Sequence, residues 1–251
     1  MSAMKKKVLV VDDDEGILSL LCATLERVGY ETVGVDLAST ALKKLSDENF
    51  PVVLSDIMLP NMDGLQLLSK IKELSPDTQV VMITANVNMD TAIASLKRGA
   101  FGYLKKPLEP EEMISQINNA FDRASLIGEN KRLVAELKTA KEYAEQIIKD
   151  LTYTVIGLDV EGRIKKINHA VETLLGYTEE EVLGKPITSI FTEEFKTLKW
   201  PELLKENRVS GYPVSFRAKN GMEVRTLFTG SVMKSAAGKL IGFIGTARAK
   251  V

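Results

Sequence analysis

The sequence predicts an α/β domain with a five-stranded, doubly wound parallel sheet, then a long helix, then an α+β domain with an antiparallel sheet. Three observations carry this prediction. Up to about residue 122, short apolar runs alternate with amphipathic stretches, which is typical of a parallel sheet with helices on both faces. Residues 123–151 contain no proline and are rich in Lys, Glu, Ala and Leu, which favours one continuous helix. The remaining residues place strands first, then helices, then strands again, which indicates a separate α+β domain.

Five buried strands are expected in the first part, because strands covered on both faces appear as continuous runs of Val, Ile and Leu. The runs are Val8–Val11, Thr32–Val35, Val52–Leu54, Val80–Ile83 and Gly102–Leu104. The stretches between them have helical periodicity; in the first one, an apolar face includes Leu18, Cys22 and Leu25. We therefore expect five strands and five helices by about residue 122, with Cys22 as a core residue.

The helical stretch 123–151 carries a heptad pattern. Its seam residues are spaced alternately by four and three positions: Leu126, Asn130, Leu133, Leu137, Ala140, Ala144, Ile147 and Leu151. Asn130 takes an a position, which suits a parallel homodimer because two asparagines can hydrogen-bond across the seam and fix the register. Glu136 at g and Lys141 at e would then pair between chains. The alternative is a single amphipathic helix packed on its own domain, since two alanines weaken the seam.

Residues 152–250 are expected to form the α+β domain. Its predicted strands and helices are Thr154–Leu158, Arg163–Ile167, Ala170–Leu175, Glu179–Val182, Val214–Ala218, Val224–Val232 and Leu240–Arg248. Turn signals separate the strands, at Asp159–Gly162, Asn220-Gly221 and Ala237-Gly238. Thr178 and Glu181 have capping-box spacing, which predicts the start of the second helix.

Polar side chains follow four of the strands of the first domain at the point where each strand ends. They are Asp12 and Asp13, Asp56, Thr84 and Lys106. Ligands of an open parallel sheet bind at the carboxyl ends of its strands, where the strand order reverses. Taken alone, each residue has a simpler explanation. The acidic run Asp12–Asp14, for example, could serve simply as the N-cap of a helix. Together they favour one site.

The residue types of this site predict phosphoryl chemistry. Crowded carboxylates need a cation, and hard oxygen ligands favour Mg²⁺. Phosphoryl transfer mainly requires positioning and charge neutralisation. Asp56 would be the nucleophile and would form an aspartyl phosphate. Lys106 and Thr84 would supply a positive charge and a hydroxyl donor to the phosphoryl oxygens.

Residues 5–122 resemble the response-regulator receiver family, whose fold is flavodoxin-like. The motifs that carry the resemblance are Val10–Asp14, Asp56–Gly64, Ile83–Ala85 and Tyr103–Pro107. The family lysine directly precedes the proline, so Lys106 is assigned and Lys105 is not. The resemblance implies that Asp13 and Asp56 bind Mg²⁺ by their side chains, Asp12 mostly through water, and Met58 through its backbone carbonyl.

The same resemblance implies how such a site is used. A histidine kinase or a phosphotransfer protein would donate the phosphoryl group, and the domain would catalyse its own Mg²⁺-dependent phosphorylation and dephosphorylation. Thr84 would then move and Tyr103 would rotate inward as the switch. The bond before Pro107 is a candidate cis peptide. Met58 and Asn86 hold positions that resemble the family's modulators of phosphate lifetime.

Residues 152–250 resemble a PAS domain. The resemblance rests on Val155–Asp159, Gly162–Asn168, Leu174–Thr178, Leu183–Pro186 and Lys219–Gly221. This part of the chain has no cysteine, which excludes a cysteinyl adduct, and its single histidine, His169, fits a solvated residue better than a haem ligand. The ligand is unknown; a noncovalent flavin or a small apolar molecule stays open. The aromatic residues that would line a cavity or fill the core are Phe191, Phe195, Trp200 and Phe243.

Composition narrows the function classes. The formal net charge of −1 gives no basic field for nucleic acid. No apolar run approaches the roughly 18 residues of a membrane span, and the single cysteine fits a reducing, cytoplasmic compartment. With His169 as the only histidine and no Gly-rich nucleotide segment, a kinase is not expected. We expect a phosphorylation-controlled relay from the receiver through a dimeric coiled coil to the PAS domain. The alternatives are a PAS-based ligand sensor and a dimeric scaffold.

Overall fold

The structure is a computed structural model that describes residues 6–85, 93, 95–192 and 208–249. The chain divides into two compact units, residues 1–136 and 137–251. Asn86, Phe195 and Trp200, to which the sequence analysis gave possible roles, lie outside the described residues. Most of the expected fourth helix of the first domain lies there too, and residues 95–97 are helical.

The first unit is a doubly wound parallel sheet, as predicted. Its elements are β1 (Lys7–Val11), α1 (Glu15–Arg27), β2 (Glu31–Val35), α2 (Ala38–Asp47), β3 (Val52–Asp56), α3 (Gly64–Leu74), β4 (Gln79–Thr84), β5 (Gly102–Lys105) and the start of α4 (Pro110–Asp150). The strand order is β2-β1-β3-β4-β5, with every pair parallel. The direction in which successive strands are added reverses between β1 and β3, and a ligand crevice forms at this point in such sheets.

The strands of this sheet are buried because helices cover both faces. Leu9, Val53 and Met82 pack in one core, towards α2 and α3. Val10 and Leu54 pack in the other, towards α1 and α4. The strands β1, β3 and β4 are buried at nearly every position, so polar side chains that stand at or after their ends are the ones able to meet a ligand.

Helix α4 changes character along its length. Its first turns bury Met113, Ile117 and Phe121 against the sheet. In contrast, the seam residues Leu133 and Leu137 are 51% and 71% exposed in the single chain. Exposure of the seam does not fit a helix packed along its own domain. Within the part of the chain that the structure describes, no helix is long and apolar enough to cross a membrane.

The charged residues proposed to pair between helices have partners within their own helix. Glu136 lies 3.7 Å from Arg132, and Lys141 lies 4.0 Å from Glu145. Exposed pairs of this kind contribute little to stability. Pairing of Glu136 with Lys141 across a dimer therefore stays a prediction.

The second unit is an α+β domain with an antiparallel sheet, as predicted. After the end of α4 come β6 (Thr154–Leu158), β7 (Ile164–Ile167), α5 (His169–Leu175), α6 (Glu179–Val182), a 3₁₀ turn (Ile187–Ile190), β8 (Arg208–Arg217), β9 (Glu223–Lys234) and β10 (Leu240–Ala249). The strand order is β7-β6-β10-β9-β8, antiparallel throughout. The capping box is present, because the backbone N–H of Thr178 donates to Glu181 Oε2 at 3.0 Å.

Strand β8 differs from the sequence expectation. It begins at Arg208, six residues before the predicted start at Val214. The pairing of β8 with β9 shifts between Val209 and Tyr212, and Gly211 has a φ of 66°. This irregularity interrupts the alternation of apolar and polar residues on which strand prediction depends.

Phenylalanine side chains fill the core of the second unit. Phe191 is fully buried and its ring centroid lies 5.0 Å from that of Phe216. Phe243 belongs to the same cluster. The ring of Phe228 lies so close to Gly245 that an added Cβ would be 2.4 Å from it. Of the residues expected to line a cavity or fill the core, Phe191 and Phe243 thus fill the core.

Candidate functional site

The ends of four adjacent strands bring the predicted site residues to one edge of the parallel sheet. Asp12 follows β1, Asp56 ends β3, Thr84 ends β4 and Lys106 follows β5. Because β1, β3, β4 and β5 are consecutive neighbours, residues far apart in sequence meet there. The edge includes the point between β1 and β3 at which the order reverses.

One lysine faces two buried carboxylates in this site. Lys106 Nζ lies 2.8 Å from Asp12 Oδ2 and also forms an ion pair with Asp56 Oδ2. Asp12 is fully buried and Asp56 is 5% exposed. Burial lowers the pKa of Lys106, but hydrogen bonds and charge interactions with Asp12 and Asp56 outweigh it and raise the pKa above its ordinary value. The ammonium group is therefore firmly charged at neutral pH.

A third carboxylate makes the site suitable for a divalent cation. One oxygen each from Asp12, Asp13 and Asp56 lie within 4.8 Å of one another, and Asp13 is exposed. Three carboxylates facing one ammonium leave a formal excess of two negative charges. The donors are all hard oxygens and the exposed side leaves room for water, which fits the preferences of Mg²⁺.

Backbone groups hold the two buried carboxylates in place. Asp12 Oδ1 accepts the N–H of Asp14 at 3.0 Å, and Asp56 Oδ1 accepts the N–H of Met58 at 2.9 Å. Each carboxylate thus has one oxygen on a backbone amide and the other on Lys106. The side chain of Met58 is 72% exposed, beside the site.

Gly64 ends the motif Asp56–Gly64, but the sequence analysis gave it no role; in the structure it lies against the backbone of the site. A Cβ at this position would lie 2.2 Å from the carbonyl oxygen of Asp56 and 2.7 Å from Ile57 Cα. Its N–H donates to the carbonyl of Ile57 at 2.8 Å. Gly64 is the first residue of α3, directly after its N-cap Asp63. A glycine at a helix start is a weak signal by itself, and only the close approach to β3 reveals its function.

The remaining predicted residues lie around this cluster. Thr84 is 6% exposed and its carbonyl accepts the N–H of Lys106 at 2.8 Å. Tyr103 lies on β5 and is 38% exposed. The peptide bond between Lys106 and Pro107 is cis, as expected. The switch movements of Thr84 and Tyr103 stay predictions.

In the second unit, a surface concavity of about 600 Å³ lies where the end of α4 meets the domain. Its lining includes Leu151, Tyr153, Thr173 and Arg248. His169, also at its edge, is an exposed residue whose Nδ1 lies 3.2 Å from Glu172 Oε2, which agrees with a solvated histidine. No chemistry of these groups identifies a ligand.

Two family models match this chain. The response regulator receiver domain matches residues 8–118, and the PAS domain matches residues 151–248. Neither model describes a catalytic domain.

Curated relatives match about half of this chain. The transcriptional regulatory protein GlrR of Escherichia coli is 32% identical over 125 residues, which cover 50% of this chain and 28% of GlrR. The DNA-binding transcriptional regulator NtrC of Proteus hauseri is 40% identical over 116 residues, which cover 46% of this chain and 24% of NtrC. The alkaline phosphatase synthesis transcriptional regulatory protein PhoP of Bacillus subtilis is 30% identical over 148 residues, 59% of this chain and 60% of PhoP. The chain thus spans less than two thirds of each relative.

Solved structures of receiver domains also match about half of the chain. One from Clostridium thermocellum is 32% identical, with a TM-score of 0.47, and covers 48% of this chain and 98% of its own. The beryllofluoride-activated NtrC4 receiver domain dimer is 40% identical, with a TM-score of 0.46, and covers 47% of this chain and 98% of its own.

Proposed function

The chain contains a response regulator receiver domain followed by a PAS domain, and from this premise we propose that it receives a phosphoryl group on Asp56. The donor would be the phosphohistidine of a histidine kinase or of a phosphotransfer protein. The observation that carries this proposal is the contact of Lys106 with both Asp12 and Asp56 at the carboxyl edge of the sheet. In such a site the ammonium group of Lys106, together with a bound cation, would offset the negative charge that phosphoryl transfer develops.

The proposed reaction is a displacement at phosphorus. A carboxylate oxygen of Asp56 attacks, the bond from phosphorus to the histidine nitrogen breaks, and that nitrogen keeps the bonding electrons and takes up a proton. Asp12, Asp13, Asp56 and the backbone carbonyl of Met58 would hold Mg²⁺, which when bound neutralises charge on the carboxylates and the phosphoryl oxygens.

The residues of the chain would then respond to the new group. The ammonium group of Lys106 would leave the Asp56 carboxylate for a phosphoryl oxygen, since that oxygen now carries the charge. The hydroxyl of Thr84 would donate to another phosphoryl oxygen, and Tyr103 would rotate inward. Hydrolysis of the acyl phosphate by water would release phosphate and restore the Asp56 carboxylate.

We further propose that α4 relays this state in a parallel homodimer. The receiver would comprise residues 5–122, the coiled coil 123–151 and the PAS domain 152–250. The exposure of Leu133 and Leu137 in the single chain supports pairing of the helix, because an apolar seam this exposed is stabilised by burial against a partner. Asn130, in the seam, would fix the register of the two chains.

The first experiment compares wild type with Asp56→Ala in the presence of beryllofluoride and Mg²⁺, which mimic the aspartyl phosphate. Sedimentation velocity measures association and shape, and intact mass after incubation with a small phosphodonor measures phosphorylation. Asp47→Ala, at the end of α2 and exposed, is the matched control.

Wild type and Asp47→Ala are expected to gain one phosphoryl group and to change sedimentation, whereas Asp56→Ala does neither. If Asp56→Ala is phosphorylated like wild type, Asp56 is not the acceptor. If wild type is phosphorylated but its sedimentation does not change, the relay through the helix is wrong. The PAS domain as a ligand sensor then becomes the better explanation.

A further inference from the structure

A single buried side chain organises the junction between α4 and the PAS domain. Asn168 is 3% exposed and stands between β7 and α5. Its Oδ1 accepts the N–H of Val155 at 2.8 Å. Its Nδ2 lies 2.8 Å from the carbonyl oxygen of Tyr153, 3.2 Å from that of Ile148 and 3.3 Å from that of Leu151, so its two protons are shared among three acceptors. All these partners lie in one segment, residues 148–155, which runs from the last turn of the helix into β6.

The arrangement is unexpected for this position. Asn168 is the N-cap residue of α5, where an asparagine side chain ordinarily accepts an N–H of its own helix. Here it makes no such cap bond. Instead its Nδ2 bonds to the carbonyl of Ile148 in the last turn of α4, where carbonyls have no intrahelical partner, and to those of Leu151 and Tyr153, which follow the helix. The local position therefore does not explain this side chain, and its partners do.

Asn168 is also tied to the sheet. Its own N–H donates to the carbonyl of Val155 at 3.1 Å, so Val155 and Asn168 are joined in both directions. Val155 is paired with Thr246 on β10. Next to it, the hydroxyl of Thr154 lies 2.7 Å from both the carbonyl oxygen and the N–H of Ala247. A displacement of the last turn of α4 thus has a continuous hydrogen-bonded connection into β6 and β10.

We infer that Asn168 is a positioning residue that locks the C-terminal turn of α4 to the first strand of the PAS domain. Asn168 thereby couples a displacement of the last turn of α4 to a displacement of β6. Its part in signalling rests on the proposed function of α4, but the mechanical lock does not.

The test begins without any signal, with hydrogen exchange of the full chain. Asn168→Asp keeps the acceptor for the Val155 N–H but replaces the donor by a carboxylate oxygen that faces three carbonyls. Asn220→Asp is the matched control, because Asn220 lies in an exposed turn and its Oδ1 accepts the N–H of Met222 at 3.0 Å, which aspartate can also do.

Amides of residues 148–155 are expected to exchange about tenfold faster in Asn168→Asp, as for the loss of one or two buried hydrogen bonds. In Asn168→Asp, the exchange rates of the amides of β8 and β9 should equal those of wild type. In Asn220→Asp, the rates of all amides should equal those of wild type. Unchanged exchange at 148–155 in Asn168→Asp would overturn the inference.

If the amides of β8 and β9 in Asn168→Asp also lose protection from exchange, the domain has unfolded. The inference is then tested by a measurement on the wild-type protein. The side-chain NH₂ protons of Asn168, observed by NMR, are expected to be protected from solvent, unlike those of Asn220. Equal and fast exchange of the two would overturn the inference.

Adding beryllofluoride and Mg²⁺ separates the lock from the relay. In wild type, the ligand is expected to change the amide exchange rates of residues 137–150 and also those of β6. In Asn168→Asp, it is expected to change the rates of residues before Tyr153 but not those of β6. A change that passes into β6 equally in both proteins would refute the role of Asn168 in coupling. If wild type shows no change in α4 at all, the proposed relay fails, while the exchange measured without the ligand still decides the lock.

Discussion

Replacing Lys106 by methionine tests how the carboxylate cluster is balanced. The substitution keeps an unbranched side chain of similar length and removes the charge together with the N–H donors that bond to Asp12 and Asp56. It leaves Asp12 and Asp56, both buried, facing each other and Asp13 without a cation. Lys105→Met is the matched control, because Lys105 is the adjacent residue, at the end of β5, and is exposed.

The expected loss of stability follows from the burial of the partners. Removing one member of a buried ion pair costs about 3–5 kcal/mol. The side chain of Lys106 is 18% exposed and Asp13 opens the site to water, so we take the lower limit, about 3 kcal/mol. For a domain of this size, that corresponds to a fall of roughly 10 °C in the Tm of the receiver transition.

Scanning calorimetry of the full chain, without divalent cations, measures this fall. The single tryptophan, Trp200, lies in the PAS part of the sequence, so its fluorescence identifies the transition of that domain. Mg²⁺ at about 100 times its Kd stabilises a protein by about 2.7 kcal/mol, and it should bind the uncompensated carboxylates of Lys106→Met more tightly than wild type. Mg²⁺ at about 100 times its Kd for the variant is therefore expected to bring Lys106→Met close to the stability of cation-free wild type. If Lys106→Met is no less stable than Lys105→Met without Mg²⁺, the lysine does not balance the cluster.

Three further predictions concern pH, packing and the helix. The pKa of folded Lys106 is raised, so its stabilisation is complete below about pH 10.5, its ordinary pKa, and is lost as pH rises through the higher folded value. Urea titrations should therefore show a smaller difference in the free energy of unfolding between wild type and Lys106→Met at pH 11 than at pH 8. An equal difference at the two pH values would contradict this. Gly64→Ala forces a Cβ against the backbone of Asp56, so it should lower the free energy of unfolding by about 1–3 kcal/mol and slow phosphorylation. Gly128→Ala has nothing within 4 Å of the added Cβ and should stabilise the helix by about 1 kcal/mol. Equal melting temperatures for the two variants would contradict the packing argument. Asn130→Leu should tighten association but relax its specificity, so that sedimentation finds species larger than a dimer; monomers of both wild type and variant at every concentration would show that the helix does not pair.

Much of the fold could be predicted because the relevant signals are local. Strands covered on both faces are apolar at every position, and each helix of the first unit follows its own periodicity. The meeting of Asp12, Asp56 and Lys106 was also predictable, because the polar residues stand at strand ends and parallel strands end at one edge. In these cases a short segment of sequence contains the physical cause of its own structure.

The sequence by itself therefore determined the strands, the helix seam and the residues gathered at the sheet edge. Only the tertiary structure decided that one lysine serves two carboxylates, that Gly64 must lack a Cβ beside Asp56, and that Asn168 bonds to the end of α4. It also decided the early start of β8, where the shifted pairing breaks the alternation. The physical reason is common to all four: each depends on the approach of backbone or side-chain atoms from segments distant in sequence, and local periodicity contains no information on that distance.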